Sequence, residues 1–264
     1  MESGDCRKLL LAAATLAALV SCDVVEKQRA ESARDFPRAY RPVSDVGSNA
    51  FSTEQVRDDR REAVTVMNLA DIAPGMSVAD IGAGEGYYTV RLSARVGSTG
   101  RVLAQDIDER ALRRLGSRVE RERLENVFIT LGKEDDPRLP ANSFDRIFLV
   151  HMYHEVAEPY AFLWRMRPAL REGGQVFVVD TDRPTDQHGI DPRLLWCEFE
   201  QVGFRLVEFE LKPEIAGYFA KFEVDGDRPA PRDIEPCVQP GEDSNELSRY
   251  SERSTEEKDG IQGT

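Results

Sequence analysis

The sequence predicts an α/β fold: a doubly wound sheet of seven strands, mostly parallel, with helices on both faces and an antiparallel hairpin at its C-terminal end. Three observations carry this. Short apolar runs alternate with helical patterns from about residue 51 to 225. A glycine-rich turn, Gly82-Ala83-Gly84-Glu85-Gly86, joins the first run to a helix. Only residues 212–217 separate the last two runs, too few for a crossover helix, so those strands must pair antiparallel.

Ser52-Thr53-Glu54-Gln55 has the form of a capping box, and a helix is expected from it to about Ala70. Val56, Ala63, Met67 and Ala70 share one face of that helix, and Pro74-Gly75 ends it. Residues 77–81 form a short strand, and 87–96 a helix with Tyr88, Leu92 and Val96 stacked. A strand at 101–105, a charged helix at about 109–123 and a strand at 127–131 follow. Residues 144–150 are almost wholly apolar, as a strand buried on both faces should be. A helix at 160–170, capped by Gly173-Gly174, leads to a strand at 175–179. A helix at 193–202 and strands at 205–211 and 218–224 complete the domain. Trp164 and Phe162 read as core, and the charge run 110–123 as a solvated helix face.

Outside this domain the composition changes. Arg7 and Lys8 precede an uncharged run, 9–20, too short to span a bilayer but suited to a signal peptide. The run ends in Leu19-Val20-Ser21-Cys22, which resembles a bacterial lipobox. The expected order is a signal peptide at 1–21, a lipidated Cys22 anchoring the chain to the membrane of the cell envelope, and a flexible tether at 22–50. Residues 226–264 are rich in Pro, Ser and Glu, and are expected to be a disordered acidic tail. Cys197 and Cys237 could pair in an oxidising compartment, although Cys197 reads better as a small buried apolar residue. A net charge of -13 argues against a nucleic-acid partner, which needs clustered Lys and Arg. Oligomeric state is not legible.

The turn Asp80-Ile81-Gly82-Ala83-Gly84-Glu85-Gly86-Tyr87 is the chemical centre of the sequence. Glycines between a strand and a helix let a ligand approach backbone and helix N–H groups closely. A dinucleotide fingerprint would need a third glycine where Tyr87 stands, so an NAD-dependent oxidoreductase is disfavoured. The stretch D-I-G-A-G-x-G instead resembles motif I of the class I S-adenosylmethionine-dependent methyltransferases, a Rossmann-like family whose sheet ends in the same antiparallel hairpin.

The resemblance covers about residues 51–225. It implies S-adenosylmethionine as cofactor, with Gly82, Ala83, Gly84 and Gly86 giving backbone contacts and Asp80 orienting the methionine amino group. Asp106, with Ile107 beside it, ends the second strand where the family has an acid on the ribose hydroxyls; Asp108 is the fallback, though it also suits a helix cap. In 132–140 the family's adenine-facing acid falls on Asp135, with Glu134 second.

The acceptor side is expected after the fourth strand, at His151-Met152-Tyr153-His154-Glu155. Either His154 and Glu155 act as a base and its orienting partner, or His151 and Tyr153 only shape the pocket. A metal held by His151-x-x-His154 lacks an evident third ligand beyond Asp180, Asp182 or His188, so no metal is expected. The function so implied is methyl transfer to a small-molecule acceptor. The alternatives are a membrane-tethered module that binds a nucleoside ligand without turnover and, further off, the oxidoreductase.

Overall fold

The computed structural model describes residues 29–44, 53–215 and 217–238. Residues 29–35 belong to a unit of their own and contain one 3-10 turn, Glu31–Ala33. The signal peptide and Cys22 lie outside the described residues.

The domain runs α1 (Glu54–Asp59), α2 (Glu62–Leu69), β1 (Ser77–Ile81), α3 (Tyr87–Val96), β2 (Arg101–Asp106), α4 (Glu109–Glu122), β3 (Val127–Leu131) and β4 (Phe144–Val150). It continues with α5 (Pro159–Met166), β5 (Leu170–Asp180), α6 (Pro192–Glu200), β6 (Phe204–Lys212) and β7 (Gly217–Val224). The sheet order is β3-β2-β1-β4-β5-β7-β6, parallel from β3 to β5, with β7 antiparallel to both its neighbours. This is the seven-stranded, doubly wound architecture expected, hairpin included.

Strand order reverses between β1 and β4, opening a crevice at the carboxyl ends of the central strands, where such sheets bind ligands. Beneath it, Ile147, Phe148 and Leu149 of β4 are fully buried. Phe148, Phe177 and Phe219 form an aromatic row across β4, β5 and β7, with ring centroids 5.3 and 5.7 Å apart. Such cross-strand pairs reinforce the apolar burial that holds the layers together.

Several expectations need correction. The helix expected to run unbroken to Ala70 is two helices, because Arg61 takes a left-handed conformation (φ 58°) between α1 and α2. Its described cap is Thr53, whose hydroxyl accepts from the Val56 N–H; Ser52 lies outside the described residues. Gly173 and Gly174 do not cap a helix but lie within β5, beside the irregularity in its pairing with β4.

The outer segments are also more ordered than their composition suggests. Residues 36–44, assigned to the tether, pack on the domain, with Phe36 and Arg41 buried. Residues 226–238, assigned to the tail, are fixed by a Cys197–Cys237 disulfide, so Cys197 is not a solitary apolar residue. The Trp164 indole N–H donates to the Pro229 carbonyl at 2.8 Å, and the Arg228 guanidinium stacks 3.4 Å over the Trp164 ring. One covalent link and a few well-placed contacts offset an ordering cost that hydrophobicity alone does not.

Candidate active site

A cavity of about 870 Å³ lies over the crevice, within the range of small-molecule sites. Two walls define it. The first is the glycine turn and the end of β2. Backbone pairing between β1 and β2 sets Ile81 opposite Gln105. Beyond the last pair, the Ala83 N–H donates to the Gln105 carbonyl at 2.9 Å, and the Gly84 N–H to Asp106 Oδ2 at 2.8 Å. The other carboxylate oxygen of Asp106 accepts from the Asp108 N–H. The acid is thereby clamped between the glycine turn and the start of α4. Asp108 caps that helix through the Arg110 N–H and also lines the cavity.

Gly82, Ala83, Gly84, Asp106 and Ile107 all line the cavity, as expected of the cofactor residues. Gly84 has φ 55°, and a Cβ built there meets nothing within 4 Å. Open space beside a left-handed glycine is what close approach of a ligand to the backbone requires. The turn therefore fits a nucleoside-bearing cofactor sterically, and Asp106 supplies an ionisable acceptor beside it.

Three expected cofactor residues lie elsewhere. Asp80 is buried behind the turn, where Oδ2 accepts from the Thr89 hydroxyl at 2.6 Å. Burial pushes its carboxyl up to about 6, against the opposing effect of the Thr89 bonds. It ties β1 to α3 and does not line the cavity. Gly86 caps α3 at φ 92°, where a Cβ would press on Leu115, so its role is packing. Asp135 is buried, its Oδ2 paired with Arg165 at 2.7 Å. The cavity is reached instead by Lys133 and Glu134, the latter being the second choice for the adenine side.

The second wall follows β4 and β5. The His151 N–H still pairs with the Val179 carbonyl, but His151 then turns left-handed (φ 52°) and the chain leaves the sheet. His151, Met152, Glu155 and Thr181 line the cavity. His154 does not: it is buried, with Nδ1 2.9 Å from Asp180 Oδ1 and 3.0 Å from Oδ2. The expected pairing of His154 with Glu155 is thus replaced at this nitrogen by Asp180. Tyr153 is fully buried and donates to Glu198 Oε2 at 2.8 Å, so it supports the wall from behind.

Sequence reasoning missed the groups that hold this wall. Arg41 reaches Glu198 at 2.8 Å and donates to the His154 and Val156 carbonyls. Both partners of this ion pair are buried. Glu62, on α2, accepts from Arg57 at 2.6 Å and from the Tyr88 hydroxyl at 3.1 Å, with His151 Nε2 3.5 Å away. Burial alone would raise the Glu62 carboxyl, but His151 and Arg57 outweigh it and hold it at about 2. Arg57 also lies 3.8 Å over the Tyr87 ring. The break at Arg61 brings Arg57 and Glu62 together, a pairing that helical periodicity gave no means to read.

The geometry defines a cofactor-type crevice at the switch point of a doubly wound sheet. Comparison with known proteins agrees. Residues 78–174 match the model of a family described as a methyltransferase domain. The chain is 24% identical over 161 residues to a demethylmenaquinone methyltransferase of Bacillus cereus, covering 61% of this chain and 67% of that one. A SAM-dependent methyltransferase from Aquifex aeolicus shares the fold, with a TM-score of 0.56 and 23% identity over 65% of this chain and 97% of that one. The [4+2]-cyclase SpnF shares it too, at a TM-score of 0.52 and 17% identity, covering 68% of each chain. The family model matches residues 78–174, and the solved structures show that the chain shares their fold.

Proposed function

We propose that this chain transfers a methyl group from S-adenosylmethionine to a small-molecule acceptor. The observation that carries the reading is the join between Gly84 and Asp106, which sets an open glycine backbone and a fixed carboxylate on one cavity wall. Asp106 accepts from the ribose hydroxyls, Gly82 to Gly84 allow close approach of the cofactor's chain, and Ile107 packs beside the base. The cofactor supplies an electrophilic methyl group; the residues need chiefly to hold the acceptor atom close and in line with it.

His151 and Glu155 face the acceptor from the opposite wall. Glu62 fixes the His151 ring, and His151 takes the proton when the acceptor must lose one. His154 and Asp180 position this segment from behind. A fold shared with a cyclase makes the binding test the first one to do.

Calorimetric titration of the full chain with S-adenosylhomocysteine should give one site, displaced by S-adenosylmethionine and not by NAD. Gly84→Val should abolish that binding while the protein stays folded by circular dichroism. Absence of binding to the wild type, or equal binding by Gly84→Val, would overturn the reading.

The same proposal places the mature chain on the membrane of the cell envelope through a lipidated Cys22. The Cys197–Cys237 disulfide supports it, because structural disulfides are favoured outside the reducing cytosol. Mass spectrometry of the membrane fraction should find an acylated N-terminal peptide beginning at Cys22, lost in Cys22→Ser. A full-length, unmodified chain confined to the soluble fraction would contradict it.

A further inference from the structure

The chain has three histidines, and the fold separates them into two sites. His151 turns toward Glu62. His154 and His188 come together from different segments, their rings edge to face with centroids 5.7 Å apart. Glu155 joins them: one ligand-type atom from each of His154, Glu155 and His188 lies within 4.8 Å of the other two. We propose that these three residues bind a divalent transition-metal ion of the zinc class behind the acceptor wall of the cavity, which Glu155 alone of the three also lines. Metal binding by this trio is separate from the methyl-transfer reading and stands or falls without it.

Two features beyond proximity point to a ligand set. The first is Asp180, whose carboxylate engages Nδ1 of His154. A carboxylate on one ring nitrogen fixes the tautomer that presents the other nitrogen as a lone pair, the usual outer partner of a metal-bound histidine. Asp180 is itself oriented, accepting the Thr181 N–H at 2.8 Å.

The second feature is the rigidity of the loop that carries His188. Its backbone N–H donates to Ser44 Oγ at 3.0 Å, and the Ile190 N–H donates to the Thr181 carbonyl at 2.8 Å. The Thr185 hydroxyl donates to the Pro42 carbonyl. His188 is left-handed (φ 55°), a conformation rare enough to need this support. Residues 42–44 thus act as a strap that sets the third ligand in place.

Two neutral imidazoles and one carboxylate are a donor set used for zinc where a coordination position is left for substrate or water. Zinc bonds of roughly 2.0–2.2 Å set ligand atoms nearer to one another than 4.8 Å, a spacing within reach of a small side-chain adjustment. Glu155 also lines the cavity, so the ion would lie next to the acceptor wall and tie Glu155 to it. The sequence argued against a metal by looking for a partner to His151-x-x-His154. The structure divides that pair and replaces His151 with His188.

The test is zinc titration of the full chain, purified without a polyhistidine tag and stripped with chelator, against a competing chromophoric chelator. One equivalent should bind, and cobalt in its place should give the visible absorption of a four- or five-coordinate ion. His188→Ala should lose binding by 100-fold or more, and Asp180→Asn by about 10- to 100-fold. His151→Ala should bind zinc as the wild type does. The proposal is overturned if the stripped wild type takes up no zinc at micromolar concentration, or if His188→Ala, folded by circular dichroism, binds zinc normally. It is equally overturned if His151→Ala loses zinc as fully as His188→Ala.

Discussion

The two walls of the cavity are made differently. On the cofactor side, residues 80–86 and 105–108 do the work through backbone: a left-handed glycine with open space beside it, and N–H groups held on one carboxylate. On the acceptor side, the segment 151–156 is held by side chains from Arg41, Glu62, Asp180 and Glu198. The first wall depends on local conformation, and the second on buried charges gathered from the whole chain. Substitutions should therefore separate them.

The largest effect is expected at the Arg41–Glu198 pair. Removing one member of a buried pair leaves the other uncompensated and typically costs about 3–5 kcal/mol. Arg41→Ala should lower the denaturation midpoint accordingly, while the remaining folded protein binds S-adenosylhomocysteine with wild-type affinity. A parallel loss of ligand affinity would show that the walls are not independent.

Breaking the Cys197–Cys237 link should cost nearly as much. Closing a loop of 40 residues is worth about 4 kcal/mol in the chain-entropy model. Urea unfolding of Cys197→Ser/Cys237→Ser should register that loss, again with ligand affinity unchanged.

Glu62 ranks next and has a pH signature. Its folded carboxyl sits at about 2, below the ordinary 4.5, so the unfolded chain binds the extra proton. Its stabilising contribution is complete above about pH 4.5 and is lost as pH falls toward 2, on the order of 3 kcal/mol. Glu62→Gln should flatten the acid limb of stability in that window. An unchanged limb would mean that the carboxylate is not held by Arg57 and His151.

The smallest effect belongs to Asp80, with the opposite sign. Its folded carboxyl is raised to about 6 from 3.8, so the folded state binds the extra proton and a cost develops as pH rises through that interval. Asp80→Asn should remove this slope, and weakening of the charge-assisted hydrogen bond from the Thr89 hydroxyl should offset most of the gain at neutral pH. A wild-type slope in the variant would place the titration elsewhere.

The contrast also explains what the sequence made legible. Strands β1, β3 and β4 and helix α3 were readable because apolar periodicity and turn glycines are local signals. The hairpin followed from the shortness of the 212–217 connection. Asp106 was readable because it ends a strand beside the glycine turn. Asp80 and Asp135 do not line the cavity, which the sequence could not show, because a motif gives an acid's position along the chain but not the direction of its side chain. One points to Thr89 and the other to Arg165. His154 and Asp180, or Arg41 and Glu198, are brought together only by the finished sheet, and no local pattern announces such pairs. The order in 226–238 was hidden for a similar reason, since it depends on a partner for Cys237 back in α6.

The central claim is that Asp106 grips the cofactor's sugar beside an open glycine turn. Calorimetric titration of Asp106→Ala with S-adenosylhomocysteine tests it most directly, with Asp106→Asn as the control that retains an acceptor for the Gly84 N–H. Loss of a charged hydrogen-bond acceptor, worth roughly 1.5–3 kcal/mol, predicts binding about 10- to 150-fold weaker in Asp106→Ala and a smaller loss in Asp106→Asn. Wild-type affinity in Asp106→Ala would contradict the account.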